Sequence, residues 1–375
     1  MRMSWQDWVE RSCTEIDLAG QWRRPFDVES GHPLTRVSDS GEEIVSFASN
    51  DYLGLTQHPE VIASAIAATT ELGVGAGAAR LIVGSRPVHT ALENDLAAWK
   101  DCEAAVLFPT GYAANLGVLT TFGRSEATIC SDELNHASII DGCRLAPAAV
   151  AVYRHRDLAH LERLLDNSGP ALVVSDTVFS MDGDLAPVDE LAELCTRRDA
   201  LLVLDEAHAV LSPEPALGTA EVLRVGTLSK TLGTLGGFVA GPRRFVDLIV
   251  NRARSYIFTT ATPPATAAAA AAALSILRSA QGRELRDRLR RLVDLLAPGH
   301  PSPILPIIVG SEESAVKASA SLLERGLLVP AIRPPTVAPG TCRLRVALSA
   351  AHTERQVRAL GEALEALDLR RGIAA

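Results

Sequence analysis

The sequence predicts an α/β protein with a mostly parallel sheet covered by helices on both faces, and two patterns in its middle part carry that prediction. Short apolar runs rich in β-branched residues predict strands at Ala104 to Phe108, Ala171 to Ser175 and Leu201 to Leu204. Between them, apolar residues recur every three or four positions at His89 to Trp99 and Val188 to Arg198, which predicts amphipathic helices. Strands that alternate with helices favour parallel pairing.

The chain of 375 residues exceeds the usual length of one compact domain, and 47% of it is hydrophobic. After about Ser279 the composition changes to an Arg- and Leu-rich helix, followed by prolines and a short strand at Ile304 to Val309. We therefore predict a large domain over residues 42–278 and a smaller α+β domain over residues 279–375. Over residues 1–41 the sequence predicts a helix and an extended arm that could pack against the smaller domain.

Charge and cysteine content narrow the class of protein. The net charge of −9 and the absence of any Lys/Arg cluster argue against nucleic-acid and membrane partners and favour a small-molecule partner. Six scattered cysteines without a C-x-x-C pair indicate neither a metal site nor a disulfide framework, and they fit reduced thiols in a cytoplasmic protein. The N-terminus lacks the pattern of a secretory signal, and the alanine-rich run over 261–277 predicts a buried helix rather than a membrane span.

Three lysines are the candidates for amine chemistry. Lys100 and Lys317 lie in helical patterns and are interpreted as ordinary solvated positions. Lys230 follows a predicted strand in R-V-G-T-L-S-K-T-L-G-T-L-G-G, where small residues let a ligand approach the backbone closely. A desolvated amine there could have a lowered pKa and form an imine. The alternative is a surface lysine beside a glycine-rich turn.

An aspartate at the end of a predicted buried strand is a second candidate residue for the same site as Lys230. In A-L-L-V-L-D-E-A-H, Asp205 ends a parallel strand, at the edge where open α/β sheets bind ligands. A buried aspartate is the partner that keeps the pyridine nitrogen of pyridoxal phosphate (PLP) protonated. His208 could reach the phenolic oxygen of that cofactor or orient the aspartate. D-E-A-H is also a Walker B pattern, but the G-x-x-x-x-G-K-[ST] loop that an ATPase requires is absent. A capping Asp on a buried strand remains the plainer alternative.

Nine motifs follow one another along essentially the whole chain, and together they indicate a particular family. They are S-N-D-Y-L-G-L, G-V-G-A-G-A-A-R-L-I-V-G, P-T-G-Y-A-A-N, L-N-H-A-S-I-I-D-G, V-F-S-M-D-G-D-L-A-P, L-D-E-A-H, T-L-S-K-T-L-G, I-F-T-T-A-T-P-P and R-P-P-T-V-A-P-G-T-C-R-L-R. Their order resembles that of the α-oxoamine synthases. These are PLP-dependent enzymes of fold type I, in the class II aminotransferase-like group, and they condense an amino acid with an acyl thioester. Each motif alone is weak evidence, but the ordered set is strong.

The resemblance implies a cofactor site. Gly111 and Tyr112 would hold the phosphate from a helix N-terminus, where N–H groups and the helix dipole favour an anion. His136 would stack on the pyridine ring and Lys230 would form the internal aldimine. The ring and phosphate would also be fixed by Ser180, Asp205, His208 and Thr227. Taken alone, His136 is better explained as a hydrogen-bonded histidine at a helix start, and only the set of motifs favours the cofactor role.

The resemblance also implies a homodimer with shared active sites. Thr259 and Thr260 in I-F-T-T resemble residues that, in this family, reach the phosphate in the neighbouring subunit. Without the resemblance they are ordinary strand or cap threonines.

Within the family, the segment I-R-P-P-T-V-A-P-G-T is most similar to that of members joining L-alanine to a pimeloyl thioester in biotin synthesis, on CoA or an acyl carrier protein. Arg23 would then contact the acyl substrate, with Arg24 as an adjacent alternative, and Thr336 would line the acyl pocket. Arg345 would clamp the amino-acid carboxylate with help from Asn50, since a guanidinium pairs with a carboxylate through two hydrogen bonds. In this interpretation alanine displaces Lys230, and the freed lysine removes the α-proton.

Two other interpretations stay open. The first is another α-oxoamine synthase, such as glycine C-acetyltransferase or 5-aminolevulinate synthase, because one methyl group contributes only about 1 to 3 kcal/mol of discrimination in a pocket. The second is a noncatalytic, scaffold-like member, which would be expected to lack the lysine. The chain also departs from the family pattern in A-V-L-S-P after His208 and in Asp176, where a glutamate is common.

Overall fold

The computed structural model describes residues 4–29, 32–37, 41–166 and 168–369. Its helices are α1 (Trp5–Leu18), α2 (Pro59–Leu72), α3 (Pro87–Trp99), α4 (Gly111–Phe122), α5 (Ala137–Leu145), α6 (Leu158–Asp166), α7 (Val188–Arg197), α8 (Arg243–Arg252), α9 (Arg254–Ile257), α10 (Pro264–Arg278), α11 (Ala280–Leu296), α12 (Glu312–Leu323) and α13 (Glu354–Ala366). A 3₁₀ turn at Leu55–Gln57 and a π turn at Arg80–Gly84 complete the helical elements described.

The strands of the described residues are β1 (Leu34–Arg36), β2 (Glu43–Ser46), β3 (Ala104–Phe108), β4 (Thr128–Asp132), β5 (Ala149–Tyr153), β6 (Ala171–Asp176), β7 (Leu201–Asp205), β8 (Val222–Thr227), β9 (Gly237–Gly241), β10 (Ile304–Gly310), β11 (Leu327–Leu328), β12 (Ala331–Ile332) and β13 (Cys342–Ala347). The predicted strands and helices of the middle region are thus present, with ends within two residues of the predicted ones.

The central sheet has the order β3-β9-β8-β7-β6-β4-β5. Strands β5, β4, β6, β7 and β8 pair in parallel, whereas β9 is antiparallel to both β8 and β3. The prediction of a mostly parallel α/β sheet is confirmed. Strands β6, β7 and β8 are buried along nearly their whole length because helices cover both faces, which explains their continuous apolar runs.

Two smaller sheets flank the central one. Strands β10, β13 and β12 form an antiparallel sheet in the C-terminal part, and β13 is buried at every position. In the other, β2 pairs with β1 and also, in parallel, with β11, so the N-terminal arm is joined to the C-terminal part through backbone hydrogen bonds. The exact domain bounds at 41 and 278 remain a prediction.

The alanine-rich run forms α10, which begins with Pro264 at its first turn and is largely buried against α2 and α3. Alanine side chains let helices approach closely while keeping the highest helix propensity. Among the residues that the structure describes, no helix is both long and apolar enough to cross a membrane.

One lysine interpretation is wrong. Lys100 is not a solvated helix position: it caps the end of α3 with its side chain only 7% exposed, and its Nζ lies 2.7 Å from Glu206 Oε2. Glu206 follows β7 directly, and Arg224 of β8 pairs with the same carboxylate at 2.6 Å. The helical pattern could not reveal this, because the burial comes from strands more than 100 residues further along the chain. Lys317, in contrast, is exposed on α12.

Candidate active site

A cavity of about 260 Å³ opens at the carboxyl edge of the central sheet, where β6, β7 and β8 end. The chain turns from each strand end into a loop or helix there, so side chains from distant segments converge. The residues lining the cavity are Thr110, Gly111, Tyr112, Asn115, His136, Ser138, Asp176, Asp205, Ala207, His208, Gly226, Thr227, Ser229 and Lys230. Seven of them are residues that the sequence analysis proposed for the site.

The start of α4 forms one wall of this cavity. Thr110 caps the helix by accepting a hydrogen bond from the Ala113 amide at 3.0 Å. The amides of Gly111 and Tyr112 lie in the first turn and therefore have no intrahelical acceptor. Glycine is required close by, because a Cβ on Gly237 of β9 would stand 2.5 Å from the Gly111 nitrogen. The free N–H groups and the helix dipole make this wall suited to an anion.

Hydroxyl groups stand opposite this helix start. The Thr227 hydroxyl at the end of β8 lies 2.7 Å from the Ser229 hydroxyl and 3.0 Å from the Gly236 carbonyl oxygen. A Cβ on Gly111 would approach the Thr227 side chain to 3.3 Å, so the two elements are in direct contact. The predicted phosphate residues therefore share one end of the cavity.

Asp205 ends β7 and is 6% exposed. Its carboxylate accepts hydrogen bonds from Asn115 Nδ2 at 2.7 Å and from the Ala207 amide at 2.9 Å. Asn115 also donates to the Ser138 hydroxyl at 2.8 Å, which connects α4 with α5 beneath the cavity. These contacts hold the carboxylate at a fixed position and aim it into the cavity.

Asp176 ends β6 beside Asp205, and it is almost completely buried. Burial and the neighbouring charge of Asp205 raise the pKa of Asp176 well above its ordinary value. Its Oδ2 accepts a hydrogen bond from the His136 amide at 2.7 Å. The sequence analysis recorded Asp176 only as a departure from the family pattern, whereas the structure places it in the cavity wall.

His136 is the N-cap residue of α5, and it lines the cavity. Its Nδ1 lies 2.7 Å from the Ser138 hydroxyl. Desolvation lowers the pKa of His136, although the charge of Asp205 opposes the shift. The ring is therefore neutral near pH 7, and its Nδ1, 3.2 Å from the Ser138 amide, caps α5.

Lys230 is half-buried on the loop after β8. Desolvation lowers the pKa of its amine, while the charge of Asp205 opposes that shift. Its Nζ lies 3.0 Å from His208 Nε2, and His208 Nδ1 lies 2.6 Å from the Tyr52 hydroxyl. Desolvation and the charge of Lys230 lower the pKa of His208 well below its ordinary value. The lysine amine thus faces a neutral imidazole.

Arg345 reaches the same network from β13 of the C-terminal sheet. It is 5% exposed, and its Nη2 donates to Asn50 Oδ1 at 3.1 Å. Its Nε donates to the Ser180 carbonyl oxygen at 2.5 Å. Ser180 therefore contacts the site through its backbone, and Asn50 lies between Arg345 and the Tyr52 hydroxyl. The two predicted carboxylate-binding residues are in contact.

Four predicted residues lie apart from this cavity in the described chain. Thr259 and Thr260 follow α9, and neither lines the cavity. Thr260 is exposed and lies close to Phe258, whose side chain is 69% exposed. Arg23 and Thr336 are exposed as well, but their segments touch, because Arg23 Nη2 lies 3.4 Å from the Pro334 carbonyl oxygen. The N-terminal arm thus rests on the loop that carries Thr336.

The sequence analysis missed several polar side chains of this site, among them Tyr52, Asn115 and Ser138. Each stands inside a motif that the analysis quoted, S-N-D-Y-L-G-L, P-T-G-Y-A-A-N or L-N-H-A-S. A lone Tyr, Asn or Ser has many structural uses, so only the fold shows that these three converge on Lys230 and Asp205.

Comparison with known proteins agrees with this geometry. Residues 42–364 match the model of the family described as aminotransferase class I and II. The 8-amino-7-oxononanoate synthase of Anaeromyxobacter dehalogenans (strain 2CP-1 / ATCC BAA-258) is 46% identical over 385 residues, covering 96% of this chain and 95% of that protein. The resemblance seen in the motifs is therefore confirmed.

Solved structures share the fold. A serine palmitoyltransferase from S. paucimobilis with a bound PLP-myriocin aldimine superposes with a TM-score of 0.88, at 28% identity over 96% of this chain and 98% of the other. The 8-amino-7-oxononanoate synthase of Francisella tularensis superposes with a TM-score of 0.73, at 25% identity over 88% of this chain and 99% of the other.

Proposed function

Because this chain belongs to the aminotransferase class I and II family of PLP-dependent enzymes, we propose that it condenses L-alanine with a pimeloyl thioester. The thioester is carried on CoA or an acyl carrier protein, and the products are 8-amino-7-oxononanoate, CO₂ and a free thiol. The activity for which the similar proteins are named supports this choice. The observation that carries it is that the Lys230 amine, the Asp205 carboxylate and, through Tyr52, the Arg345 guanidinium belong to one connected site.

The residues present fit PLP group by group. Lys230 offers the desolvated amine that bonds to the aldehyde, and Asp205 offers a buried carboxylate for the pyridine nitrogen. The neutral ring of His136 would lie against the pyridine face, and His208 would face the phenolic oxygen. The phosphate would be held at the start of α4 and by neighbouring hydroxyls, with Gly111, Tyr112 and Thr227 as its ligands.

When bound, PLP supplies an electron sink that stabilises negative charge on the α-carbon of an amino acid. Arg345 and Asn50 bind the carboxylate of alanine, and this contact orients the α-hydrogen toward Lys230. Lys230 then takes the α-proton as general base, and the desolvation that lowers the pKa of its amine favours the unprotonated form that this role requires. The same lysine returns a proton after CO₂ has left.

The acyl substrate is assigned to the exposed side of the site. Arg23 and Thr336 belong to segments that touch at Pro334, and both side chains face solvent. An arginine there could pair with the distal carboxylate of a pimeloyl chain, and the hydroxyl of Thr336 could line the path of the chain. These two assignments rest on the family pattern together with this contact.

We also propose a homodimer in which Thr259 and Thr260 complete the phosphate site of the neighbouring subunit. In their own subunit both residues lie outside the cavity, beside the exposed Phe258. Mixing Lys230→Ala subunits with Thr259→Ala/Thr260→Ala subunits tests this. Recovered activity in the mixture supports shared sites, and a mixture that shows no more than the separate proteins contradicts them.

The activity is tested by incubating the PLP-loaded protein with L-alanine and pimeloyl-CoA while product mass, thiol and CO₂ are measured. Equal amounts of all three products are expected, and they should be absent with Lys230→Ala and present with the matched surface variant Lys317→Ala. Glycine with acetyl-CoA or succinyl-CoA tests the other α-oxoamine synthase activities. A protein that binds no PLP at Lys230, as judged by borohydride reduction and peptide mapping, would be a noncatalytic member.

A further inference from the structure

A chain of hydrogen bonds runs from Arg345 to Lys230, and chemistry assigns the donors on it. A guanidinium has only donors, so Asn50 must present its Oδ1 to Arg345 Nη2, at 3.1 Å. The same oxygen lies 3.1 Å from the Tyr52 hydroxyl. Because an amide oxygen only accepts, Tyr52 uses its single proton in this contact.

The next contact then fixes the tautomer of His208. Tyr52 has no second proton, so its hydroxyl oxygen accepts from His208 Nδ1 at 2.6 Å. His208 is buried and neutral, and a neutral imidazole carries one N–H. With the proton on Nδ1, Nε2 presents a lone pair to the Lys230 amine at 3.0 Å. This arrangement suits a free lysine, which has N–H groups to donate.

The arrangement does not suit the proposed cofactor. The phenolic oxygen that His208 would face is an acceptor when ionised, and a lone pair on Nε2 would repel it. Nε2 must therefore carry a proton when PLP is bound, and Nδ1 must lose one. The neutral ring keeps one proton throughout, since the proton released at Nδ1 and the proton gained at Nε2 are exchanged with water.

We propose that Tyr52 is the positioning residue that lets His208 exchange these tautomers. Its hydroxyl accepts from Nδ1 when Lys230 is free and rotates to donate to Nδ1 when the cofactor is bound. Both states thereby keep the buried ring nitrogen hydrogen-bonded. The proposal rests on the proposed PLP site but not on the proposed substrates.

The environment of Tyr52 favours this role. The side chain is fully buried, and its ring packs edge-on against His208 with the centroids 6.0 Å apart. Burial raises the pKa of Tyr52 to about 12, although the charge of Arg345 opposes the shift. The phenol therefore keeps its proton at any physiological pH and can always act as either donor or acceptor.

The test uses nitrogen-15 NMR of ring-labelled histidine in the full-length protein, with and without PLP, and His208→Asn assigns the signal. In the wild type, the Nε2 resonance should move from the range of a bare nitrogen to that of a protonated one when PLP is added. In Tyr52→Phe an N–H on Nδ1 would have no acceptor. A buried unpaired donor is costlier than an unpaired lone pair, so Nε2 should be protonated in both states.

A matched control is Tyr153→Phe, which removes another buried phenol, on β5, outside the cavity. It should keep the wild-type shift. A Tyr52→Phe protein that behaves like the wild type, or a wild type with one tautomer in both states, overturns the proposal. If the wild type takes up no PLP, the proposed function fails instead, and the tautomer difference between the PLP-free wild type and PLP-free Tyr52→Phe still decides the role of Tyr52.

Discussion

Asp176 and Asp205 stand opposite each other as the last residues of two adjacent parallel strands, β6 and β7. Both side chains are more than nine-tenths buried. Burial and the charge of Asp205 raise the pKa of Asp176 well above its ordinary value. Asp176 therefore keeps its proton at a pH where a surface aspartate is ionised, and the Asp205 carboxylate remains available to the cavity.

The first prediction concerns this proton. The folded protein binds it more tightly than the unfolded chain, so wild-type stability falls as pH rises from the ordinary aspartate pKa, about 4, to the raised value. Asp176→Asn carries no titrating group. Relative to the wild type, the PLP-free variant should gain stability as pH rises above the ordinary aspartate pKa, as measured by denaturant unfolding at several pH values. If the free energies of unfolding of the two proteins change in parallel with pH, the raised pKa of Asp176 is contradicted. Asp199→Asn, at an exposed position, is the control.

The second prediction concerns His155, whose Nδ1 and Nε2 lie 3.0 Å from Asp132 and 2.8 Å from Asp184. Desolvation lowers its pKa, but the two carboxylates outweigh that effect and raise the pKa of His155 to about 9. The resulting stability is fully present below the ordinary histidine pKa and is lost as pH rises through about 9.

His155→Gln should therefore lower the free energy of unfolding by roughly 1–3 kcal/mol at pH 6, and by much less at pH 10. Urea unfolding at several pH values measures the difference. Asp184→Asn removes one carboxylate and should move the midpoint of the pH effect downward. If the cost of His155→Gln is the same at pH 6 and pH 10, the charged pair is not the source of the stability.

The third prediction concerns Glu206, which is buried between Lys100 and Arg224. Glu206→Gln removes the buried carboxylate that Lys100 and Arg224 share, leaves Arg224 with only the exposed Glu214, and should cost about 3–5 kcal/mol of stability. Glu214→Gln is the matched control, because Glu214 contacts the same Arg224 at 3.2 Å but has a 75% exposed side chain. That variant should cost less than about 1 kcal/mol. Equal losses in the two variants, measured by chemical unfolding, would rule out the burial argument.

The fourth prediction concerns Arg345, whose guanidinium contacts Asn50 and the Ser180 carbonyl. Arg345→Lys should reduce kcat/KM for the amino acid about 30- to 150-fold, or roughly 2–3 kcal/mol, because lysine cannot form a two-bonded contact with a carboxylate. PLP uptake should be unchanged. Arg343→Lys is the control: it lies two residues earlier on β13 and bonds Asp182 and the Met181 carbonyl. A loss of similar size in both variants would assign Arg345 a structural role only.

Local sequence patterns were sufficient for much of this molecule. Hydrophobic periodicity located the strands and helices around the site. Apolar side chains recur with different periods in helices and in strands, and each period is visible within a single segment of sequence. The position of Asp205 after four apolar residues placed it at the carboxyl edge of the sheet. The small residues around Lys230 distinguished it from Lys317, and the order of nine motifs indicated the family.

Tertiary structure decided everything that depends on contacts between distant segments. Lys100 is buried because Glu206 and Arg224 meet it from β7 and β8, and Tyr52 becomes part of the site because His208 lies 156 residues further along the chain. The raised pKa of Asp176 requires a neighbouring strand in register, and the tautomer of His208 requires a hydrogen-bond chain that begins at Arg345. The sequence by itself thus determined the secondary-structure elements and the family, and it indicated the candidate reactive groups. Only the fold determined their desolvation, their charge partners and the direction of their hydrogen bonds, since these depend on distances that no local pattern encodes.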